Sequence, residues 1–176
     1  MKKSIRKKRR FMNIALTGMM GSGKTAVGKI LAKKLNMIFF DMDGQIEKTA
    51  EKKIKDIFAD DGEAVFRKME RELVKCLCLL DGLVISTGGG IVLDSANIKD
   101  LRKNGKIVFL KAKPEVLFER IKKEKHRPLV NVEDPLVALR RIYGKRKKLY
   151  ADCDLCVDTA KKKPEEICGE IIKKLK

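Results

Sequence analysis

The sequence contains no tryptophan, one histidine and two tyrosines, and only 5% of its 176 residues are aromatic. Stacking surfaces for nucleic-acid bases are therefore scarce, so we expect no specific nucleic-acid binding. The chain nevertheless carries 42 Lys and Arg residues against 24 Asp and Glu residues, a formal net charge of +18. This excess predicts anionic partners, although the charge alone does not identify them.

Long apolar runs are also absent, so no segment indicates a membrane span or a second domain. The five cysteines are odd in number, follow no disulfide spacing and have no secretory leader, which favours free thiols in the cytoplasm. Cys153 and Cys156 form a C-x-x-C pair, but one histidine, His126, is too few for a zinc site. Cys76, Cys78 and Cys156 are expected to be small buried hydrophobes.

One segment, Gly18 to Thr25, fits the phosphate-binding motif G-x-x-x-x-G-K-[ST]. Asn13 to Thr17 before it has the pattern of a short buried strand, and Ala26 to Leu35 after it has the apolar spacing of a helix. The glycines let the backbone turn tightly, so that amides at a helix N-terminus hold an anion. The segment therefore predicts a polyphosphate site.

Two side chains of this loop and two aspartates further on predict phosphoryl transfer. Lys24 is expected to reach the β- and γ-phosphates, and the Thr25 hydroxyl to ligate Mg²⁺. Residues 37–40 are predicted to form a second buried strand, which ends at Asp41 and Asp43. Ligands bind at that end of open α/β sheets. We expect one aspartate to hold metal-bound water and the other to meet a substrate hydroxyl.

Helical spacing follows over residues 45–50, 54–59 and 63–80. In the last of these the predicted apolar stripe consists of Val65, Met69, Leu73 and Leu77. Arg67 and Glu70 stand three residues apart on another face, a spacing that allows Glu70 to orient the arginine or to form a plain surface ion pair.

The next predicted strand, residues 83–86, ends in Thr87 followed by Gly88, Gly89 and Gly90. Three consecutive glycines at a strand end favour close approach of the backbone to a ligand. Many NTPases with this loop place a metal-binding aspartate at the end of this strand, where this chain has Ser86 and Thr87. A bound metal ion is therefore expected to rely on Thr25 and, through water, on Asp41.

The remaining pattern alternates helices and strands up to the last residues. We predict a helix capped by Ser95, a strand at 107–110, helices opened by Pro114 and Pro135, a strand at 155–157 and a closing helix at 164–175. Residues 122–134 are polar and basic and contain Arg127 before Pro128, the pattern of a mobile flap or of a solvated loop. Residues 1–10 carry seven Lys or Arg residues and are predicted to be a disordered tail, leaving 11–176 as a single domain.

Taken together, these motifs resemble the shikimate kinase family. The resemblance is carried in order by the loop, Asp41-x-Asp43, Phe66-Arg67-x-x-Glu70, Gly88-Gly89-Gly90, Arg127-Pro128-Leu129 and Arg146-x-x-Leu149-Tyr150. It implies a P-loop NTPase fold of the nucleoside-monophosphate-kinase type, with three layers, a five-stranded parallel sheet flanked by helices, and a mobile lid at about 122–134. It also implies that the γ-phosphate of ATP passes to the 3-hydroxyl of shikimate, on the route to chorismate and the aromatic amino acids.

The resemblance assigns roles residue by residue. Asp43 is implied as the base, with Lys24 and Arg127 as the other catalytic residues. The shikimate carboxylate would be held by Arg67 and Arg146, and Gly89 would offer its backbone, with substrate-binding helices at about 44–80. A guanidinium fork suits a carboxylate, so the chemistry agrees with this assignment. The other implied acceptor-site residues are Gly88, Gly90, Phe58 and Phe66. The implied nucleotide-binding residues are Gly21, Ser22, Gly23, Lys24, Thr25, Ala26, Arg120, Arg127, Lys162 and Pro164, with Mg²⁺ at Thr25 and, through water, Asp41.

Other readings stay open at this stage. The nearest alternative is another small-molecule kinase on the same scaffold, such as a gluconate kinase or a nucleoside monophosphate kinase. The glycine triplet and the two arginines suit a carboxylate-bearing polyol better than a nucleobase. A nucleic-acid-binding P-loop protein is a more distant alternative. We expect a cytoplasmic monomer that binds shikimate, ATP and Mg²⁺.

Overall fold

The computed structural model describes residues 12–122 and 134–175. The predicted tail and most of the predicted lid, including Arg127, lie outside these described residues. Within them, no helix is long and apolar enough to cross a membrane.

Five parallel strands form one sheet in the order β2-β3-β1-β4-β5. The strands are β1 (Asn13–Thr17), β2 (Ile38–Asp41), β3 (Leu83–Ser86), β4 (Gly105–Lys111) and β5 (Leu155–Asp158). Because all five run in the same direction, their carboxyl ends meet at one edge of the sheet. That edge receives the phosphate-binding loop after β1, the aspartates at the end of β2 and the glycine triplet after β3.

Helices cover both faces of the sheet. They are α1 (Lys24–Leu35), α2 (Met42–Ala50), α3 (Ile54–Asp56), α4 (Glu63–Leu77), α5 (Ser95–Lys103), α6 (Pro114–Ile121), α7 (Pro135–Ala151) and α8 (Pro164–Leu175). A π-helical turn at Ile57–Asp61 follows α3, and a 3₁₀ turn at Ile91–Leu93 precedes α5. The predicted three-layer α/β fold with five parallel strands is confirmed.

Two apolar clusters hold the layers together. On one face of the sheet, Val27 and Leu31 of α1 pack with Ile167 and Ile171 of α8. On the other face, helices α4, α5, α6 and α7 bury their apolar residues, among them Tyr150 of α7. The second cluster matters for the site because it fixes α4 and α7, which carry Arg67 and Arg146.

Three sequence expectations about burial and capping are wrong. The strand β2 is an edge strand and not a buried one, because among the described residues only β3 pairs with it, and Ile38 is 66% exposed. The α5 helix is capped by the Asp94 side chain, which accepts a hydrogen bond from the Ala96 amide, and not by Ser95. Cys76 and Cys156 are exposed and Cys78 is partly exposed, so these thiols are not small buried hydrophobes.

The buried face of α4 also differs from the predicted stripe. Its buried residues are Phe66, Glu70, Val74 and Leu77, whereas Val65 is 38% exposed. The helix is thus rotated so that the carboxylate of Glu70 points inward. The reason lies outside the helix, because Glu70 meets charged partners and the glycine triplet that periodicity alone cannot place.

Candidate active site at the carboxyl edge of the sheet

The phosphate-binding loop has the backbone that its motif predicts. Gly18, Gly21 and Gly23 have positive φ angles of 143°, 75° and 93°, a region that side-chain-bearing residues rarely adopt. Gly23 is the N-cap of α1, so the loop runs directly into the helix N-terminus. Backbone amides and the helix dipole therefore converge on the same point and favour an anion there.

Two polar side chains of this loop are positioned to bind a ligand. The Lys24 ammonium donates hydrogen bonds to the carbonyls of Gly18 (2.9 Å) and Met19 (3.1 Å), which hold it across the loop. The Ser22 hydroxyl is buried and has no hydrogen-bond partner among the described residues. A buried hydroxyl without a partner is costly, so a polar ligand at this loop would satisfy it.

Arg120 joins this loop to the end of β5. Its Nη1 donates to the carbonyl of Gly21 (3.2 Å) and to the Thr159 hydroxyl (3.1 Å), and its Nη2 donates to the Thr159 carbonyl (2.6 Å). Arg120 therefore lies beside the phosphate-binding loop. Lys162, by contrast, pairs with Glu170 at 2.6 Å, and Pro164 is the first residue of α8. Ala26 lies in the first turn of α1 and is exposed.

Side-chain oxygen atoms lie close together where the metal ion is expected. The Thr25 hydroxyl lies 3.4 Å from the Ser86 hydroxyl, and Ser86 is the register partner of Asp41 across β2 and β3. One carboxylate and two hydroxyls suit Mg²⁺, which prefers oxygen and usually keeps several waters. Among the described residues there is no cluster of three or more His, Cys, Asp or Glu side chains that forms a metal cage. The donor set therefore fits a water-rich Mg²⁺ held largely by a nucleotide.

The glycine triplet lies between the loop and α7. The Gly89 carbonyl accepts hydrogen bonds from Arg146 Nη1 (3.1 Å) and from the Tyr150 hydroxyl. Tyr150 in turn stacks on Phe109, with ring centroids 5.0 Å apart and planes 7° from parallel. On its other side, a Cβ built at Gly89 would lie 3.6 Å from the Met20 amide nitrogen. The triplet thus brings Arg146 next to the phosphate-binding loop.

The triplet also lies against the charged side chains of α2 and α4. A Cβ at Gly88 would lie 2.5 Å from Oε1 of Glu70 and 2.9 Å from Oδ1 of Asp43. A Cβ at Gly90 would overlap the guanidinium of Arg67 in the same way. A side chain at either position would have to displace the ends of these charged side chains. The backbone itself therefore forms one wall of the charged cluster.

Arg67 is held by carboxylates on both sides. Its Nη1 donates to the buried Glu70, while its Nε and Nη2 donate to Oε1 of Glu63 at 3.1 and 2.8 Å. The guanidinium also lies 5.2 Å from the ring centroid of Phe66, a cation–π distance. Phe66 is buried and lies 5.0 Å from the partly exposed ring of Phe58, so the two rings form one apolar wall.

Burial sets the electrostatics of this cluster. Burial raises the pKa of Glu70, and the nearby Asp43 carboxylate adds to the rise, while the Arg67 and Arg146 guanidiniums act against it. The pKa of Arg67 is raised because Glu70 and Glu63 outweigh the opposing effect of its burial. Burial also raises the pKa of Tyr150 to about 12, so its hydroxyl stays a donor well into the alkaline range.

The structure brings together most of the residues that the sequence singled out. Asp43, Arg67, Arg146 and the glycine triplet meet at the edge of the sheet that also carries the phosphate-binding loop. Sequence reasoning missed Glu63 as a partner of Arg67, although its position four residues earlier on a helix was a usable signal. It also gave no role to Tyr150, whose contact with Gly89 is between residues far apart in the chain.

Comparison with known proteins identifies the family. A protein-family model described as "Shikimate kinase" matches residues 20–176. The shikimate kinase of Thermodesulfovibrio yellowstonii is 45% identical over 161 residues, which cover 92% of this chain and 93% of that protein. A solved structure of the Acinetobacter baumannii shikimate kinase in complex with shikimate superposes with a TM-score of 0.90, at 33% identity, over 94% of this chain and 93% of that one.

One structural match bears on the alternative readings. A gluconokinase from Sinorhizobium meliloti 1021 superposes with a TM-score of 0.58 at 19% identity, over 95% of this chain and 97% of that one. That similarity shows a shared fold and nothing finer. The family match over most of the chain, together with relatives above 40% identity, is far stronger. The chain therefore belongs to the shikimate kinase family.

Proposed function

We propose that this protein transfers the γ-phosphoryl group of ATP to the 3-hydroxyl of shikimate, as a cytoplasmic monomer. The observation that carries the proposal is the meeting of Asp43, Arg67 and Arg146 with the phosphate-binding loop at one edge of the sheet. A carboxylate-bearing polyol needs guanidinium groups at one end and a proton acceptor at the other. The cluster supplies both beside a polyphosphate site.

In this proposal the nucleotide lies on the loop. The amides of residues 21–26 hold the phosphates, Ser22 gains its missing partner, and Lys24 moves from the Gly18 and Met19 carbonyls onto the β- and γ-phosphates. Arg120 lies close enough to the loop to flank the nucleotide. The sequence expectations for Arg127, Lys162 and Pro164 at the nucleotide stay part of the proposal.

Mg²⁺ would be held by Thr25 and, through water, by Asp41, with Ser86 close to both. When bound, it neutralises charge on the phosphates during transfer. The residues of this chain contribute oriented hydroxyl and carboxylate oxygens.

At the other end of the site, Arg67 and Arg146 hold the substrate carboxylate, and Gly89 offers its backbone. Phe58 and Phe66 form the apolar wall. Gly88 and Gly90 have no side chains, so the substrate can lie close to their backbone. Asp43 accepts a hydrogen bond from the 3-hydroxyl and takes its proton as the oxygen attacks the γ-phosphorus. Positioning and electrostatics supply most of the acceleration in such reactions.

A coupled assay of ATP consumption tests the proposal. Shikimate is compared with gluconate, quinate and nucleoside monophosphates at equal concentration and with Mg²⁺ present. We expect shikimate to be phosphorylated much faster than the others, and Asp43→Asn to lower kcat about a hundredfold or more without a matching change in the KM for ATP. Faster turnover of gluconate or of a nucleoside monophosphate would overturn the proposed substrate.

A further inference from the structure

The contacts of Arg67 leave little of its guanidinium open. An arginine offers five N–H donors. Two of them bind Oε1 of Glu63, and Nη1 binds Glu70. The end that carries Nη1 and Nη2 packs against Gly90, where a Cβ would lie only 2.5 Å from Cζ. Among the described residues, two carboxylates and a backbone segment thus lie on all three sides of the guanidinium.

These partners differ in how easily they leave. The Glu70 side chain is 1% exposed, and Gly90 is buried and contacts Arg67 through its backbone. The Glu63 side chain is 57% exposed and lies in the first turn of α4, so water can solvate its carboxylate once it leaves Arg67. Displacing Glu63 is therefore the least costly way to free an edge of the guanidinium.

We propose that Glu63 occupies the carboxylate-binding edge of Arg67 in the substrate-free protein and is displaced by the substrate carboxylate. Glu63 is then a competitor of the substrate, and its removal tightens binding. Charge points the same way, because Glu63, Glu70 and Asp43 place three carboxylates around the guanidiniums of Arg67 and Arg146. This inference rests on the proposed function, since it requires a substrate that carries a carboxylate.

The competitor role has a distinctive kinetic result. In Glu63→Gln the neutral amide holds Arg67 less strongly, so we expect the KM for shikimate to fall about two- to fivefold, the range given by the modest strength of exposed ion pairs. The kcat and the KM for ATP should stay close to those of the wild type. If Glu63 only positioned Arg67, the KM would rise, and that result would overturn the proposal, as would an unchanged KM.

Two further variants test whether the change in the KM for shikimate comes from the helix or from lost charge alone. Glu63→Asp keeps the negative charge at the start of α4 but shortens the side chain by one methylene, so it should also lower the KM while preserving the helix. Glu72→Gln is the matched control, because Glu72 is 58% exposed and pairs with Lys75 on the same helix at 2.7 Å. We expect no change in the KM for shikimate in this control.

The dependence on Arg67 gives the sharpest readout. In an Arg67→Lys background, which removes the guanidinium edge, Glu63→Gln should no longer lower the KM, and an undiminished effect would overturn the proposal. Titration calorimetry of shikimate measures the same change without turnover. Wild-type turnover separates the two proposals, because an active wild type with an unaffected Glu63→Gln variant contradicts only the competitor role. Absence of wild-type turnover with any carboxylate-bearing acceptor would overturn both.

Discussion

The two halves of the site are built in different ways. The phosphate-binding half consists of residues 18–26, a continuous stretch of chain between β1 and α1, joined by Arg120. The acceptor half consists of Asp43, Arg67, Glu70, the glycine triplet and Arg146, which come from α2, α4, the segment after β3, and α7. A contiguous half keeps its geometry through backbone conformation, whereas a dispersed half depends on how whole helices pack.

This difference predicts which property each substitution changes. In the phosphate-binding half, changes should lower the rate of phosphoryl transfer for every acceptor. In the acceptor half, apart from the proposed base Asp43, they should change the binding of one substrate or the stability of the packed helices. The four predictions below test this distinction.

The largest effect is expected for Lys24→Ala. Stabilisation of charge on the transferring group is the main catalytic contribution of such a loop, so kcat should fall about a hundredfold or more while the fold survives. Steady-state kinetics and circular dichroism measure the two properties. Lys29→Ala is the control, because Lys29 is exposed on the same helix. Near-normal turnover in Lys24→Ala would remove the loop from the chemistry.

A smaller effect, on one substrate only, is expected for Arg146→Lys. Lysine keeps the charge but loses the fork that binds a carboxylate at two points, so the KM for shikimate should rise about tenfold with little change in the KM for ATP. Arg141→Lys, at an exposed position of the same helix, should change neither value. An equal rise in both KM values would mean that the two halves are not separable.

A stability effect is expected for Tyr150→Phe. The variant keeps the ring stacked on Phe109 but loses the hydrogen bond to Gly89, so the free energy of unfolding should fall by about 1 kcal/mol. Arg146 still donates to the Gly89 carbonyl, which limits the loss. Urea unfolding measures it, with Tyr143→Phe as the control.

The same variant has a pH signature. Because the pKa of Tyr150 is raised from 10.0 to about 12, the native state retains this proton while the unfolded state releases it. The wild type should therefore lose stability as the pH rises from 10 towards 12, and Tyr150→Phe should lack this component of the loss. If the wild type and Tyr150→Phe lost stability equally over that range, the raised pKa of the buried Tyr150 hydroxyl would be contradicted.

The smallest effect concerns Glu70, whose pKa is raised by burial above its ordinary value of 4.5. Between that value and its higher folded pKa, the native state binds more protons than the unfolded state, so this carboxyl's contribution to stability decreases as the pH rises. Glu70→Gln should remove that decrease. The pKa of Glu72 is lowered by its hydrogen bond to Lys75, so Glu72→Gln should change the slope in the opposite direction. Urea unfolding at several pH values measures both slopes.

The sequence predicted the fold well because its signals are local. Each strand and helix of the α/β alternation is marked by its own apolar period, by glycine or by proline, and the family resemblance implied the sheet of five parallel strands that the structure shows. The errors arose where contacts with neighbouring elements determine which residues are buried. The exposure of β2 depends on its place at the edge of the sheet, and the rotation of α4 depends on the charged cluster that Glu70 meets.

The candidate site shows the same distinction between local sequence signals and contacts with distant residues. The loop could be predicted from residues 13–35, the motif with its flanking strand and helix, because its function lies in the backbone φ angles and amides of one stretch. The glycine triplet, Asp43 and Arg67 stood out in the sequence pattern, and the family resemblance gave them and Arg146 their roles, but their mutual contacts were not predictable. The roles of the tail, of the lid and of Arg127 stay predictions from the sequence.

By itself, then, the sequence determined the order of the elements, the phosphate-binding loop and the residue types needed for a carboxylate-bearing acceptor. Tertiary structure alone decided that Glu70 is buried and that Tyr150 and Arg146 share the Gly89 carbonyl. The physical reason is that burial and hydrogen-bond partners depend on the packing of α4 and α7 against the sheet, which joins residues about sixty positions apart.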